Sequence, residues 1–166
     1  MKKSQLTAIN RIIKNNTDRP ALKGYFINDN KYIVTDGYRA ARFSVHPEGM
    51  PAVDGANMRP FFNIDNFNIS TAINPPTIAE LNAIIKEARE RKAPAYSVES
   101  IPIYWIESCG HRVAVNAKYL KNLLNIIPAA VMHLSHNSPE ISAIYITSKI
   151  YDIDGLLLPM ITRTEV

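Results

Sequence analysis

The sequence predicts an α+β fold in which helices pack on antiparallel meander sheets. Three observations lead there. Residues 5–15 and 117–126 carry apolar side chains at the helical period. Each of these segments runs into short β-rich stretches divided by turn signals, such as Asn28-Asp29-Asn30 and Asp36-Gly37. A further helical segment, residues 77–92, stands between the two units with strands of its own behind it.

The first helix takes Ser4 as its N-cap. Leu6, Ile9, Ile12 and Ile13 form one side, and Lys3, Thr7, Asn10, Arg11 and Lys14 the other. Asn15-Asn16 and then Arg19-Pro20 end it. Strands over 24–27, 31–35 and 38–45 make the first meander. Residues 46–76 are punctuated by proline and glycine, yet Phe61, Phe62, Ile64, Phe67 and Ile69 make them too apolar for disorder. An ordered excursion holding one strand is expected, able to cover an exposed sheet edge.

Thr77-Ile78-Ala79-Glu80 has the form of a capping box. The second helix then shows an apolar stripe of Ile78, Leu81, Ile84, Ile85 and Ala88. Its other face mixes Glu80, Glu87 and Glu90 with Lys86, Arg89, Arg91 and Lys92, which predicts contact with solvent and not with phosphate. Strands near 96–99, 101–107 and 111–115 follow, with Cys109-Gly110 as a turn. The third helix points Tyr119, Leu120, Leu123, Leu124 and Ile127 inward, and Lys118, Lys121, Asn122 and Asn125 outward. Pro128 closes it, and strands over 131–135, 141–147 and 150–160 complete a second meander. The organisation expected is one domain over residues 1–166: a first half at 1–45, an insert at 46–110 and a second half at 111–166.

Composition narrows the function classes. The chain has 166 residues, 46% of them hydrophobic and 20% charged, an ordinary globular balance. One cysteine excludes an intrachain disulfide and suits a reducing compartment. No apolar run approaches the roughly 20 residues of a membrane helix, and no apolar signal core follows Met1-Lys2-Lys3. A cytoplasmic protein with no membrane partner is expected. The net charge is +4, and the basic residues crowd the start of the chain, where Lys2, Lys3, Arg11, Lys14, Arg19 and Lys23 meet a single acid, Asp18. Such a cluster attracts phosphates; a solvated helix face has the same composition.

Catalytic patterns do not assemble. His133 and His136 have HxxH spacing but no third ligand, and Cys109 with His111 adds no convincing set for zinc. The same cysteine and histidine lack an orienting carboxylate for nucleophilic work. Asp152 and Asp154 form a DxD whose apolar flanks read as a strand-edge turn. There is no Walker loop and no GxGxxG. No metal, cofactor or catalytic residue is expected.

Two segments do resemble a known family. Tyr32-Ile33-Val34-Thr35-Asp36-Gly37-Tyr38-Arg39-Ala40-Ala41 resembles the strand–turn–strand "ATDGHRLA" segment of the bacterial sliding clamp, the β subunit of DNA polymerase III. Val115-Asn116-Ala117-Lys118-Tyr119-Leu120-Lys121-Asn122-Leu123-Leu124 resembles that family's "FN-x-x-Y-L-x-x-x-L" helix entry. Gly155 to Met160 is similar to its terminal "VMPMR". The three occur in the family's order, and the resemblance covers residues 4–45 and 111–163. It departs in three places: Tyr38 stands where the family has His, Ile161-Thr162-Arg163 replaces the terminal Arg-Leu, and a full clamp chain is more than twice as long, with three clamp domains.

The resemblance implies a DNA-clamp-like domain that acts by contact and not by catalysis. A clamp needs positive helices that touch phosphates without reading bases. Lys3, Arg11, Lys14, Lys118 and Lys121 on the polar faces of the first and third helices meet that need. Five phosphate contacts imply a log–log salt slope of roughly −4 to −5 on duplex DNA. The family also binds short peptides of replication partners, such as polymerases and clamp loaders, in an apolar groove. Carried over, that groove comprises Thr35, Gly37, Tyr38, Ala40, Leu156, Leu158 and Met160, with Arg39 as its polar rim. The same apolar residues also suit ordinary strand packing. The expected function is a replication accessory on non-specific duplex DNA, possible as a homo-oligomer. The alternatives are a clamp-fold interaction module or inhibitor without DNA binding, and an enzyme of unrecognised type.

Overall fold

The computed structural model describes residues 1–15, 18–19, 22–55, 69–95, 97–135, 138–139 and 142–161. Among these residues, no helix is long and apolar enough to cross a membrane. Phe61, Phe62, Ile64, Phe67, His136, Ile141, Thr162 and Arg163 lie outside them.

Helix α1 spans Lys3–Lys14 and buries Ile9 and Ile12 completely, with Leu6 and Ile13 partly covered. Its cap differs from the expected Ser4. Gln5 reaches back so that its Oε1 accepts the Lys2 N–H at 2.8 Å, which moves the helix start ahead of Ser4. Helix α2 spans Ile78–Glu90 and has the expected box: the Glu80 N–H donates to Thr77 Oγ1 at 3.2 Å, and the Thr77 N–H donates to Glu80 Oε2 at 2.6 Å. These bonds hold the exposed Glu80 carboxyl below its usual range, because they favour the anion. Helix α3 spans Ala117–Ile126, as its periodicity predicts, and the Asn116 side chain accepts the Lys118 N–H at 3.0 Å.

Among the described residues the strands are β1 (Phe26–Asn28), β2 (Lys31–Thr35), β3 (Arg39–Phe43), β4 (Ile69–Ile73), β5 (Ile103–Ser108), β6 (His111–Asn116), β7 (Ala130–Ser135), β8 (Ile144–Ser148) and β9 (Ile153–Leu157). The strand expected near 96–99 is instead a short 3₁₀ helix, Val98–Ser100. Its serines account for the difference. Ser97 Oγ donates to the Pro94 carbonyl at 2.9 Å and Ser100 Oγ to the Ser97 carbonyl at 2.7 Å, local bonds that compete with a ladder.

The two meanders do not stay apart. Strand β3 pairs antiparallel with β9, from Arg39↔Leu157 to Phe43↔Ile153. Among the described residues, this joint fuses them into one seven-stranded sheet, ordered β1-β2-β3-β9-β8-β7-β4. Strands β5 and β6 form a separate hairpin that turns at Cys109 and Gly110, both with positive φ. The excursion serves both edges of the large sheet. Ala52 bridges Tyr25 beside β1, and β4 covers the outer side of β7.

Strand alternation divides the side chains between the two sheet faces. Val34, Ala41, Phe43, Ile144, Ile146 and Leu157 join the core under the helices, while Ile33, Ala40, Tyr145 and Leu156 form a smaller cluster on the opposite face. The Asp of β9, Asp154, is buried and held by Arg42 and by the Tyr145 hydroxyl, which donates to it at 2.6 Å. Burial and this bond push the Tyr145 phenol well above its usual range. Leu123 of α3 and Ile127 just past its end pack over Gly155 of β9. A Cβ there would stand 2.8 Å from Ile127 Cδ1 and 3.1 Å from the Ala40 carbonyl oxygen. Gly155→Val is therefore expected to cost about 1–3 kcal/mol by overpacking, read as a lower urea midpoint at unchanged slope.

Candidate functional site

Helices α1 and α3 lie side by side and antiparallel. Gln5 Nε2 donates to the Ile126 carbonyl at 2.9 Å, and Asn122 Nδ2 donates to the Ala8 carbonyl at 2.9 Å. Asn122 was expected to face outward with Lys118 and Lys121. It is instead buried, because α3 is flanked by α1 on one side and α2 on the other, which narrows its open face. Among the described residues, Asn122 Oδ1 has no hydrogen-bond partner.

This packing turns the cationic sides of the helices into one cleft of about 540 Å³. Arg11 and Lys14 enter it from α1, and Lys118 and Lys121 from α3. Among the described residues, no carboxylate lines it. The N-terminal turn of α3 adds the positive end of a helix dipole. Four of the five cations singled out in the sequence thus share one concavity. Lys3 does not: it is exposed in the first turn of α1, at the other end of the helix. Sequence reasoning missed Arg89 of α2, which also lines the cleft. Its spacing of four from Ile85, itself buried and lining the cleft, was the available signal.

Arg39, at the end of the Thr35–Arg39 turn, also lines the cleft. Asp36 Oδ1 accepts the N–H groups of Tyr38 and Arg39, both at 3.0 Å, and Thr35 Oγ1 donates to the Arg39 carbonyl at 2.9 Å. Gly37, at φ +87°, supplies the left-handed step. The Arg39 side chain is not an exposed rim. It is buried, its Nε sits 3.1 Å from Asp36 Oδ2, and its guanidinium lies 4.4 Å from the centre of the Tyr119 ring. A planar guanidinium can satisfy a carboxylate and stack on a ring at once, so the turn and α3 draw it inside. Burial lowers its affinity for the proton, and Asp36 opposes that. Burial likewise pushes the Tyr119 phenol up.

Arg39 also lines a second, apolar pocket of about 80 Å³. Thr35, Gly37, Tyr38, Ala40, Leu156 and Leu158 line it, together with Arg39 and Ala143. Tyr38 and Leu158 are exposed, and the Leu158 N–H donates to the Tyr38 carbonyl at 2.9 Å. Met160 is not part of this pocket. Its N–H donates to the Ala114 carbonyl of β6 at 2.8 Å, which draws the chain past β9 toward the hairpin.

Three of the residues weighed for chemistry, His133, Asp152 and Asp154, are engaged elsewhere. The His133 ring nitrogen Nε2 meets Thr147 Oγ1 at 3.0 Å, and desolvation lowers its pKa. Asp152 is bonded to Lys31 at 2.6 Å, and Asp154 to Arg42. Among the described residues, no group of three or more His, Cys, Asp or Glu is placed to hold a metal ion.

No protein-family model matches the chain, and no curated protein matches it. Solved structures do. One is the Helicobacter pylori β clamp, there bound to a DNA ligase peptide: TM-score 0.56 and 14% identity over 95% of this chain. Another is the DNA polymerase III β chain of Streptococcus pneumoniae, with TM-score 0.51 and 12% identity over 95% of this chain. This chain has a DNA-clamp fold. It spans 62% and 63% of the length of those two clamps, and at such identities the likeness is one of fold. Within the clamp fold, the segment 32–41 is β2, its turn and β3, and the segment 115–124 runs from β6 into α3.

Proposed function

We propose that this clamp-fold protein is a replication accessory that works without catalysis, holding duplex DNA through its phosphates and short peptides of replication proteins through its apolar pocket. The observation that carries the DNA reading is the convergence of Arg11, Lys14, Lys118 and Lys121 on one cleft without a carboxylate among the described residues. Phosphate contacts of this kind position a duplex without reading its sequence. Four such contacts give a log–log salt slope of about −4. The test is fluorescence anisotropy with labelled duplexes of unrelated sequence across a salt series. Equal affinities and that slope support the reading; no binding at low salt leaves a clamp-fold interaction module in its place.

The pocket at Leu156 and Leu158 supports the peptide reading, because its walls are apolar and its size suits one aliphatic anchor. Leu158→Asp places a charge at its exposed rim. The expected result is at least a tenfold loss of affinity for a labelled clamp-binding peptide, with the DNA salt series unchanged. A peptide that never binds the parent protein removes the pocket from the proposal.

A further inference from the structure

We infer that α2 is the third wall of the DNA site and that Arg89 is its phosphate contact. This inference rests on the DNA reading above and deepens it. Helix α2 belongs to the stretch between the two resembling segments, and its mixed charges gave no sign of a binding role. In the fold it packs against α3, with Leu81, Ile85 and Ala88 buried. Arg89 follows Ile85 by one helical turn, so its exposed side chain opens on the same cleft as Lys118 and Lys121. Lys86 lies on the outer side of the helix, 3.7 Å from Glu90. Five cations from three helices then converge on one concavity.

The test compares Arg89→Ala with Lys86→Ala on the same helix, each checked for parent-like circular dichroism and melting. Against a short duplex, Arg89→Ala should weaken binding roughly two- to fivefold at low salt. It should also flatten the salt slope by about 0.9, the share of one phosphate contact. Lys86→Ala should leave both unchanged. Equal losses in the two variants reduce the effect to net charge and overturn the inference, as does an unchanged slope in Arg89→Ala. The underlying DNA reading stands or falls separately, on the lysines of α1 and α3.

Discussion

Replacing Lys14, Lys118 and Lys121 together by glutamate should abolish duplex binding at physiological salt. The three residues share one cleft with Arg11, and their reversal turns attraction into repulsion where phosphates would lie. Each exposed charge contact contributes up to about 1 kcal/mol. Their joint loss thus lowers affinity on the order of a hundredfold before repulsion is counted. Lys14 and Lys118 are exposed and Lys121 half-buried, so the variant should keep the parent's circular dichroism. The same substitutions should leave peptide affinity intact, because none of the three lines the apolar pocket, which shares only Arg39 with the cleft. Undiminished duplex binding by a folded triple variant would falsify the assignment of the cleft.

Phe43→Ala should be the most destabilising truncation in the sheet. The ring is completely buried on β3, beside the joint with β9, and is stacked on Tyr32 with centroids 6.3 Å apart. Truncation loses both the transfer energy and the packing of a fully enclosed aromatic, about 3–5 kcal/mol. That is a large part of the roughly 5–15 kcal/mol available to a domain. Urea unfolding followed by tryptophan fluorescence of Trp105 measures it. A shift under about 1 kcal/mol, below the range for buried aromatics, would mean that the site collapses around the gap and that the β3–β9 joint is looser than its register indicates.

Much of this was legible in the residues. The spacing of Leu120, Leu123 and Ile127, with Pro128 behind them, sets α3 because periodicity and a breaker agree. Thr77 and Glu80 locate the start of α2 by a local bond that needs no tertiary partner. What stayed hidden depends on neighbours far along the chain. Asn122 turns inward because α1 offers the Ala8 carbonyl, 114 residues away. Arg39 reads as a surface cation until Asp36 and Tyr119 enclose it. Arg89 reads as solvent-facing because a mixed charge pattern does not say which neighbour a helix face will meet. The fusion of two meanders into one sheet is likewise invisible locally, since a strand's sequence does not name its partner.

The β3–β9 joint has a consequence for how the molecule comes into being. Arg42 and Asp154, paired across it, are 112 residues apart in sequence. Closing so long a loop is entropically unfavourable, and topologies of this kind fold slowly. During synthesis the first meander leaves the ribosome with the flank of β3 bare and waits there until β9 is made. A bare flank of that kind invites pairing with another nascent chain. The growing polypeptide should therefore be most prone to aggregate in the interval before β9 emerges.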